Sequence, residues 1–299
     1  MPNASAITAL IVTHDSAGVL PACLGALARE GVPALVVDNA STDNTVALAE
    51  AAGARVIRNA RNEGYGRANT LGVKALDTTW FLLLNPDVEM QPGAVAALLE
   101  AAARYADAGM IAPRIVEPDG RLFYQNRSLL MESVLRRAVA GDARALQPSG
   151  DACAPSLSGA CFLMRRDVFL DLGGFDPNIF LFYEDDDLCR RLADAGRALV
   201  HVDGAEARHL RGASATPNPA RRFKTRWHFA WSRVYIARKY GLPTGAAETL
   251  LKGFPKALLS LFSFRPMEMA RHWGSIAGTL AALSGRTALM KEGLAPADS

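Results

Sequence analysis

Glu184-Asp185-Asp186-Asp187 places four carboxylates side by side where a helix begins. The helix dipole favours acids at that end by under about 1 kcal/mol each, which accounts for one or two of them. Four neighbours repel, and the crowding is relieved when one faces a cation or takes up a proton. Crowding also lifts a carboxyl pKa, which suits a general base. Phe180, Phe182 and Tyr183 would supply an apolar wall beside it; the plain alternative is a solvated helix start. A fifth acid, Asp87, follows Trp80-Phe-Leu-Leu-Leu-Asn-Pro86. That run lacks alternation, so as a strand it would be buried on both faces. Pro86 cannot donate to a ladder and would end the strand. Asp87 then stands at the carboxyl end of a central strand, the edge where open α/β sheets bind ligands. Its plain alternative is a cap on the next helix.

Three further stretches carry polar chemistry. Gly64-Tyr65-Gly66-Arg67 lets backbone approach a ligand, and the Arg67 fork suits a diphosphate, although a simple turn explains it equally well. It is not the Gly-x-Gly-x-x-Gly fingerprint, which His14-Asp-Ser-Ala-Gly18 does not supply either. His209 sits in a loop just past a strand, beside Arg208 and Arg211. A lone histidine is more often structural. It gains weight here because a hard cation beside a diphosphate needs more than the one carboxylate of Asp87. Residues 221–239 carry seven cations interleaved with Phe223, Trp227, Phe229, Trp231 and Tyr235. This reads as a basic amphipathic helix, either packed on a domain or facing a membrane.

The elements that must position these residues alternate. Strands are expected over 6–13, 34–37, 55–58 and 80–84. Helices are expected over 18–30, 42–52 with Ser41 or Thr42 as cap, from the glycine loop to 76, and 92–105 with Pro92 near its first turn. Such alternation means right-handed crossovers and a parallel sheet. Thr13, Asp15, Asp38, Asp43 and Asp87 then gather on one sheet edge, which packing alone does not explain. A hairpin over 110–124 turns at Asp119-Gly120, and a basic helix follows over 128–146. A buried strand over 157–164, a turn at Gly173-Gly174, a helix over 188–195 and a strand over 198–202 come next. From Pro219 onward the pattern is helical.

The 299 residues suffice for one large α/β domain with an appendage, and the net charge of +3 does not argue for nucleic acid. Cys23, Cys153, Cys161 and Cys189 form no Cys-x-x-Cys pair, so reduced thiols are expected rather than zinc or a disulfide framework. The first residues lack the basic and apolar regions of a signal peptide. No apolar run reaches the roughly 18 residues of a membrane span, and 250–264 is broken by Lys252, Pro255 and Lys256. The expected location is cytoplasmic, peripheral on the inner face of the cytoplasmic membrane.

Five motifs in order carry a resemblance: Val37-Asp-Asn-Ala-Ser-Thr-Asp43, Asn62-Glu-Gly-Tyr-Gly-Arg-Ala-Asn69, Leu82-Leu-Leu-Asn-Pro-Asp-Val88, Gly173-Gly-Phe-Asp176 and Tyr183-Glu-Asp-Asp-Asp-Leu-Cys-Arg-Arg191. Each is weak alone. Together they resemble a family 2 glycosyltransferase of the rhamnosyltransferase-like branch that builds cell-surface polysaccharides. The resemblance implies the α/β GT-A (Rossmann-like) fold: a mostly parallel central sheet flanked by helices, with a helical C-terminal appendage. It divides the chain into a catalytic domain over 1–215 and a helical region over 216–299 that contacts membrane or acceptor. It implies inverting transfer of a sugar, with rhamnose the candidate, from a nucleoside-diphosphate sugar to a glycan or polyprenyl-linked acceptor, with Mg²⁺ or Mn²⁺ as cofactor. Asp38 and Asn39 would hold base and ribose with Thr13 and Asp15 nearby, and Arg67 would contact base or diphosphate. Asn85 and Asp87 match the Asp-x-Asp metal motif, with Asn85 replacing its first acid, and His209 matches a histidine that completes the metal site. Asp185 matches the base of a Glu-Asp pair with Glu184. Ser158 and Gly159 would line the donor-sugar pocket. His14 stands where an aromatic is common. A nucleotidyltransferase would need a basic, glycine-rich loop after the first strand, and 13–18 contains no Lys or Arg. A non-catalytic nucleotide-sugar binder is the other alternative, against which the intact Glu-Asp pair argues.

Overall fold

The computed structural model describes residues 6–123, 128–130, 149–210, 218–262 and 265–295. The chain divides into two compact units, Met1–Phe175 with Asp185–Ala215, and Asp176–Glu184 with Thr216–Ser299.

The first unit opens as an alternating series: β1 (Ile7–Thr13), α1 (Leu20–Arg29), β2 (Ala34–Asp38), α2 (Thr45–Ala51), β3 (Arg55–Arg58), α3 (Tyr65–Lys74) and β4 (Trp80–Leu84). Then come β5 (Val88–Met90), α4 (Ala94–Arg104), β6 (Ala108–Val116) and β7 (Leu122–Phe123). After them stand β8 (Ala152–Cys153), β9 (Cys161–Arg165), α5 (Arg166–Asp171), α6 (Glu184–Asp194) and β10 (Ala198–His209). The sheet order is β3-β2-β1-β4-β9-β6-β10-β5, with β7 on β6 and β8 on β10. β1 to β4 pair in parallel, as crossovers through helices require. The other half is mixed: β9 runs antiparallel to β4 and β6, β6 is parallel to β10, and β5 is antiparallel to β10.

The unbroken apolar runs are explained by cover on both faces. Ile7, Ala9 and Ile11 of β1 join Leu82 and Leu84 of β4 in one core with Leu20, Leu24 and Leu27 of α1 and Leu98 of α4. Leu10, Val12, Phe81 and Leu83 face the opposite core, with Val73 of α3, Phe169, Leu188 and Leu192. α3 approaches β1 so closely that a β-carbon on Gly72 would stand 2.4 Å from Leu10 Cδ1.

Three expected boundaries move, each for a local reason. α2 begins at Thr45 because Ser41 and Thr42 spend their groups on Asp38 and Asp15, while Asp43 Oδ1 accepts from Thr45 N at 3.0 Å. α4 begins at Ala94 because Glu30 accepts from Gly93 N (2.9 Å) and Val95 N (3.2 Å), capping it from another helix and leaving Pro92 outside. α6 includes all four acids. The hairpin at Asp119-Gly120 forms, and β9 takes the later part of the expected 157–164 strand. The basic helix expected over 128–146 lies outside the described residues from 131 on. All four cysteines are free thiols, three of them buried.

The second unit holds α7 (Pro219–Lys239), α8 (Ala246–Leu261), α9 (Pro266–Leu283) and α10 (Ala288–Lys291). Asn218 caps α7 by accepting from Arg221 N at 2.8 Å, with Pro219 in the first turn. Of the aromatic residues between the cations of α7, Trp227 and Trp231 are core and pack, with Val234, against Phe180, Leu289 and Leu294, while Phe223 and Tyr235 lie partly buried against them. α7 is therefore a packed helix with solvated cations, the plainer of the two expectations. Among the described residues, no helix is long and apolar enough to cross a membrane.

Candidate active site

The ends of β1 and β2 lie side by side, with Thr13 in register with Asp38. Asp38 is buried and accepts from Thr13 Oγ1 (3.0 Å), Ser41 N (3.0 Å) and Ser41 Oγ (2.5 Å). Asn39 makes every bond its amide allows. Its Nδ2 donates to Asn62 Oδ1 and Gly64 O, both at 3.1 Å, and its Oδ1 accepts from Asn59 Nδ2 (2.8 Å) and Glu63 N (3.2 Å). Two acids clip the neighbouring loops reciprocally. Asp15 Oδ1 accepts from Thr42 N at 2.7 Å, and Asp43 Oδ2 from Ala17 N at 3.1 Å. Asp15 itself sits at φ 51, a left-handed conformation rare outside glycine and a mark of functional loops. The polar residues gathered on this edge thus first tie the loop ends to one another. His14 stays exposed with Nδ1 2.9 Å from Asn39 O. Arg67, on the first turn of α3, lies 3.6 Å from Glu63 Oε2.

At the end of β4, Asn85 N donates to Ala160 O at 2.9 Å, so the strand tip and the approach to β9 are joined. The Tyr65 hydroxyl lies 2.9 Å from Gly159 O and 3.0 Å from Asn85 Oδ1. A phenol donates one hydrogen. That hydrogen is directed to the two oxygens, Gly159 O and Asn85 Oδ1, between which it is shared. Asn85 is thus engaged with Tyr65. Ser158 Oγ accepts from Ala160 N at 3.2 Å.

His209 is in a strand rather than a loop. β10 continues past an irregularity between Val202 and Glu206, and then Ala205, Ala207 and His209 are buried, with Glu206 and Arg208 between them. That period of two marks a half-buried strand, and it was present in the sequence behind Asp203-Gly204. Pairing of His209 with Val88 sets it beside Asp87. His209 Nε2 lies 3.3 Å from Asp87 Oδ1, and both side chains are at most a tenth exposed. Two adjacent ligands of an octahedral cation, each at about 2.1 Å, stand about 3 Å apart, so the pair fits one. His209 Nδ1 is buried without a hydrogen-bond partner among the described residues, leaving Nε2 as the nitrogen that faces Asp87. Among the described residues no group of three or more His, Cys, Asp or Glu is set to hold a metal. A cation here would take its remaining ligands from water and a bound anion, as Mg²⁺ and Mn²⁺ commonly do.

The four acids of α6 have separate fates. Glu184 is buried. Asp185 Oδ2 accepts from Gly159 N at 2.9 Å, and a β-carbon on Gly159 would stand 3.2 Å from Asp185 Cβ. Asp186 turns inward to Ser156 Oγ at 3.3 Å. Asp187 is fully buried and takes Arg191 Nε at 2.8 Å. Burial raises the Asp185 carboxyl above its usual range, and N–H donors from Gly159 and Asp186 offset this only in part. Burial, then the charge of Asp185, pushes Asp186 up to about 7. Phe180, Phe182 and Tyr183 have ring partners of their own. Phe180 stacks on His228, and the other two rings flank Phe229, because this segment belongs with the C-terminal helices.

Asp185 is therefore one peptide from Ala160, which is bonded to Asn85, two residues before Asp87. The arrangement sets a raised-pKa carboxylate and a cation-competent pair on one sheet edge. Sequence reasoning picked out Asp87, His209 and Asp185 as candidates but assigned no task to Tyr65, whose reach to Gly159 spans 94 positions.

Residues 8–173 match the family described as Glycosyl transferase family 2. An N-acetylglucosaminyl-diphospho-decaprenol L-rhamnosyltransferase of Mycobacterium tuberculosis is 34% identical over 246 residues, covering 73% of this chain and 79% of that one. The rhamnosyltransferase WbbL of Escherichia coli is 25% identical over 189 residues, 59% of this chain and 71% of that one. Among solved structures, the mannosyltransferase PcManGT from Pyrobaculum calidifontis, in complex with GDP-Man and Mn²⁺, superposes with a TM-score of 0.56. It is 16% identical and covers 93% of this chain and 87% of that one. S. aureus TarS 1-349 gives 0.55 at 12% identity, covering 93% and 91%.

Proposed function

The chain belongs to glycosyl transferase family 2 and has its GT-A fold, and from this we propose an inverting, cation-assisted rhamnosyltransferase. Its donor is a nucleoside-diphosphate sugar. Its acceptor is a polyprenyl-diphosphate-linked amino sugar, the class named for the mycobacterial relative. The protein works at the inner face of the cytoplasmic membrane in polysaccharide synthesis.

In this reading the sheet edge that carries Thr13, Asp15, Asp38 and Asn39 receives the nucleotide. Asp38 and Asn39 act chiefly by holding the loop backbone that meets it, since their side chains are already bonded. Arg67 reaches the diphosphate, and Ser158 and Gly159 border the sugar. Asp87 and His209 would hold the cation, which when bound would offset the charge of the departing diphosphate. Asn85 supports the site through Tyr65. Asp185 takes the proton from the acceptor hydroxyl as that oxygen bonds to the anomeric carbon and the carbon–oxygen bond to diphosphate breaks. One displacement inverts the anomeric centre. Burial of Asp185 favours this step, because a raised pKa makes the carboxylate a stronger base near neutral pH.

The observation that carries the reading is the Asp185 carboxylate held by Gly159 N, beside the strand tip that bears Asp87. The test is Asp185→Asn, assayed with nucleoside-diphosphate rhamnose and a prenyl-diphosphate N-acetylglucosamine. Turnover should fall by at least about a thousandfold while nucleoside diphosphate still binds in the presence of Mn²⁺. Near-normal turnover would remove Asp185 as the base.

A further inference from the structure

One of the C-terminal helices is built inside out. On α8 the side chains turned inward are small: Ala246, Ala257 and Ser260 are buried, and Gly253 lies against Ile276. Those turned to solvent are large and apolar. Leu251, Leu259 and Phe262 are 77%, 69% and 79% exposed, and Phe254, Leu258 and Leu261 are each more than two-fifths exposed. At 3.6 residues per turn these six occupy an arc of about 160°, opposite the buried one. A helix adapted to water on its outer face reverses this order. Six large apolar side chains within residues 251–262 also exceed the scattered exposure normal on a soluble surface.

Cations border the arc. Lys252 and Lys256 lie along one side of it, and Lys256 makes no ion pair among the described residues, while Lys252 reaches Glu248 at 2.7 Å. The charge of the region is one-signed. Residues 216–299 contain thirteen Lys and Arg against four Asp and Glu, a net +9 within a chain of net +3. Residues 1–215 are correspondingly −6.

We propose that α8 is a membrane-docking helix that lies in the interface of an anionic phospholipid bilayer. Leu251, Leu258, Leu259 and Phe262 enter the acyl boundary, and Lys252 and Lys256 meet the headgroups. Charge selects this occupant over a second copy of the chain, which would bring one strongly positive region against another. The proposal deepens the reading of a lipid-linked acceptor, since a docked enzyme shares the surface that carries it.

The full chain is sedimented with vesicles of phosphatidylcholine alone and with phosphatidylglycerol added at about one part in three. Binding should be at least about tenfold tighter to the anionic vesicles and should weaken in about 0.5 M salt. The variant Leu251→Ser/Leu259→Ser/Phe262→Ser should lose binding by about tenfold or more with its circular dichroism unchanged, because these side chains are exposed. A wild-type chain that ignores anionic vesicles overturns the proposal, as does a triple variant that binds like wild type. A lipid-free dimer that dissociates in the triple variant overturns it in favour of a second copy. Vesicle binding without sugar transfer to any acceptor supports the docking and removes only the catalytic reading.

Discussion

Asp185 owes its place to a residue far from it in sequence. Tyr65 holds the Gly159 carbonyl, and the N–H of the same glycine donates to the Asp185 carboxylate. That N–H stabilises the ionised form, so it works against the burial that raises Asp185. Tyr65→Phe removes the tether while keeping the ring. The Gly159 hydrogen bond then weakens, the carboxyl rises further, and a base that must be ionised is lost at a higher pH. The acid limb of kcat/KM should accordingly move up in pH, with kcat lowered several-fold and nucleoside-diphosphate affinity within about twofold of wild type. A pH–rate profile and calorimetric titration would check this; an unmoved limb with normal kcat would leave Tyr65 without a positioning role. Asp87, Asp185 and His209 were legible as candidate site residues because strand ends, acid crowding and a cation's need for several ligands are written in residue type and spacing. Nothing in the sequence indicated that Asp38 and Asn39 spend their polar atoms on their own loops, or that Asn85 meets a phenol. Those facts depend on which loop tips meet in space.

Among the elements, long apolar runs and alternating helices were enough to place β1 to β4 in a parallel sheet. Short or interrupted elements were not visible. β5 has three residues, and the second half of β10 follows an irregularity that hid its alternation. The helix pair α7 and α9 shows another signal, the spacing Gly274-x-x-x-Gly278. A β-carbon on Gly278 would stand 2.1 Å from Trp227 O, and one on Gly274 2.6 Å from Phe223 O. Backbone cannot step aside as a flexible side chain does, so the two helices would have to separate. Gly278→Ala should therefore destabilise the C-terminal unit by about 2–3 kcal/mol, although alanine is the better helix former. Denaturant unfolding followed by tryptophan fluorescence suits the measurement, because Trp227 and Trp231 lie in that core. A variant as stable as wild type would show that the close approach is not maintained in solution.

At the scale of the whole molecule, the chain leaves the sheet unit at Asp176 and rejoins it at Asp185. Between these points it is tied to the helices. Asp176 Oδ2 accepts from Lys239 Nζ (2.7 Å) and Tyr235 Oη (3.0 Å), and Leu181 O accepts from Ser232 Oγ (2.9 Å). The strap ends at Phe182 and Tyr183, both at positive φ (72 and 70), a strained conformation for aromatic residues immediately before Glu184 and Asp185. Such strain persists only where surrounding contacts enforce it, and on the side of the helices those contacts are the anchors on α7. Burial alone would raise the Asp176 carboxyl, but Lys239, the Asn178 N–H and Tyr235 hold it below the usual carboxylate range. A depressed carboxyl stabilises the fold above its unfolded pKa of about 4, and that contribution disappears as pH falls through the folded value. Asp176→Asn should therefore cost about 1–3 kcal/mol at pH 7 and progressively less below about pH 4. Under conditions where the variant stays folded, kcat should fall while the affinity for nucleoside diphosphate, bound by the other unit, stays near wild type. Unfolding curves across pH, with binding and turnover on the same samples, separate the two effects. Equal losses in binding and turnover would mean the substitution disturbs the whole fold, and unchanged kcat would mean the strap does not position Asp185.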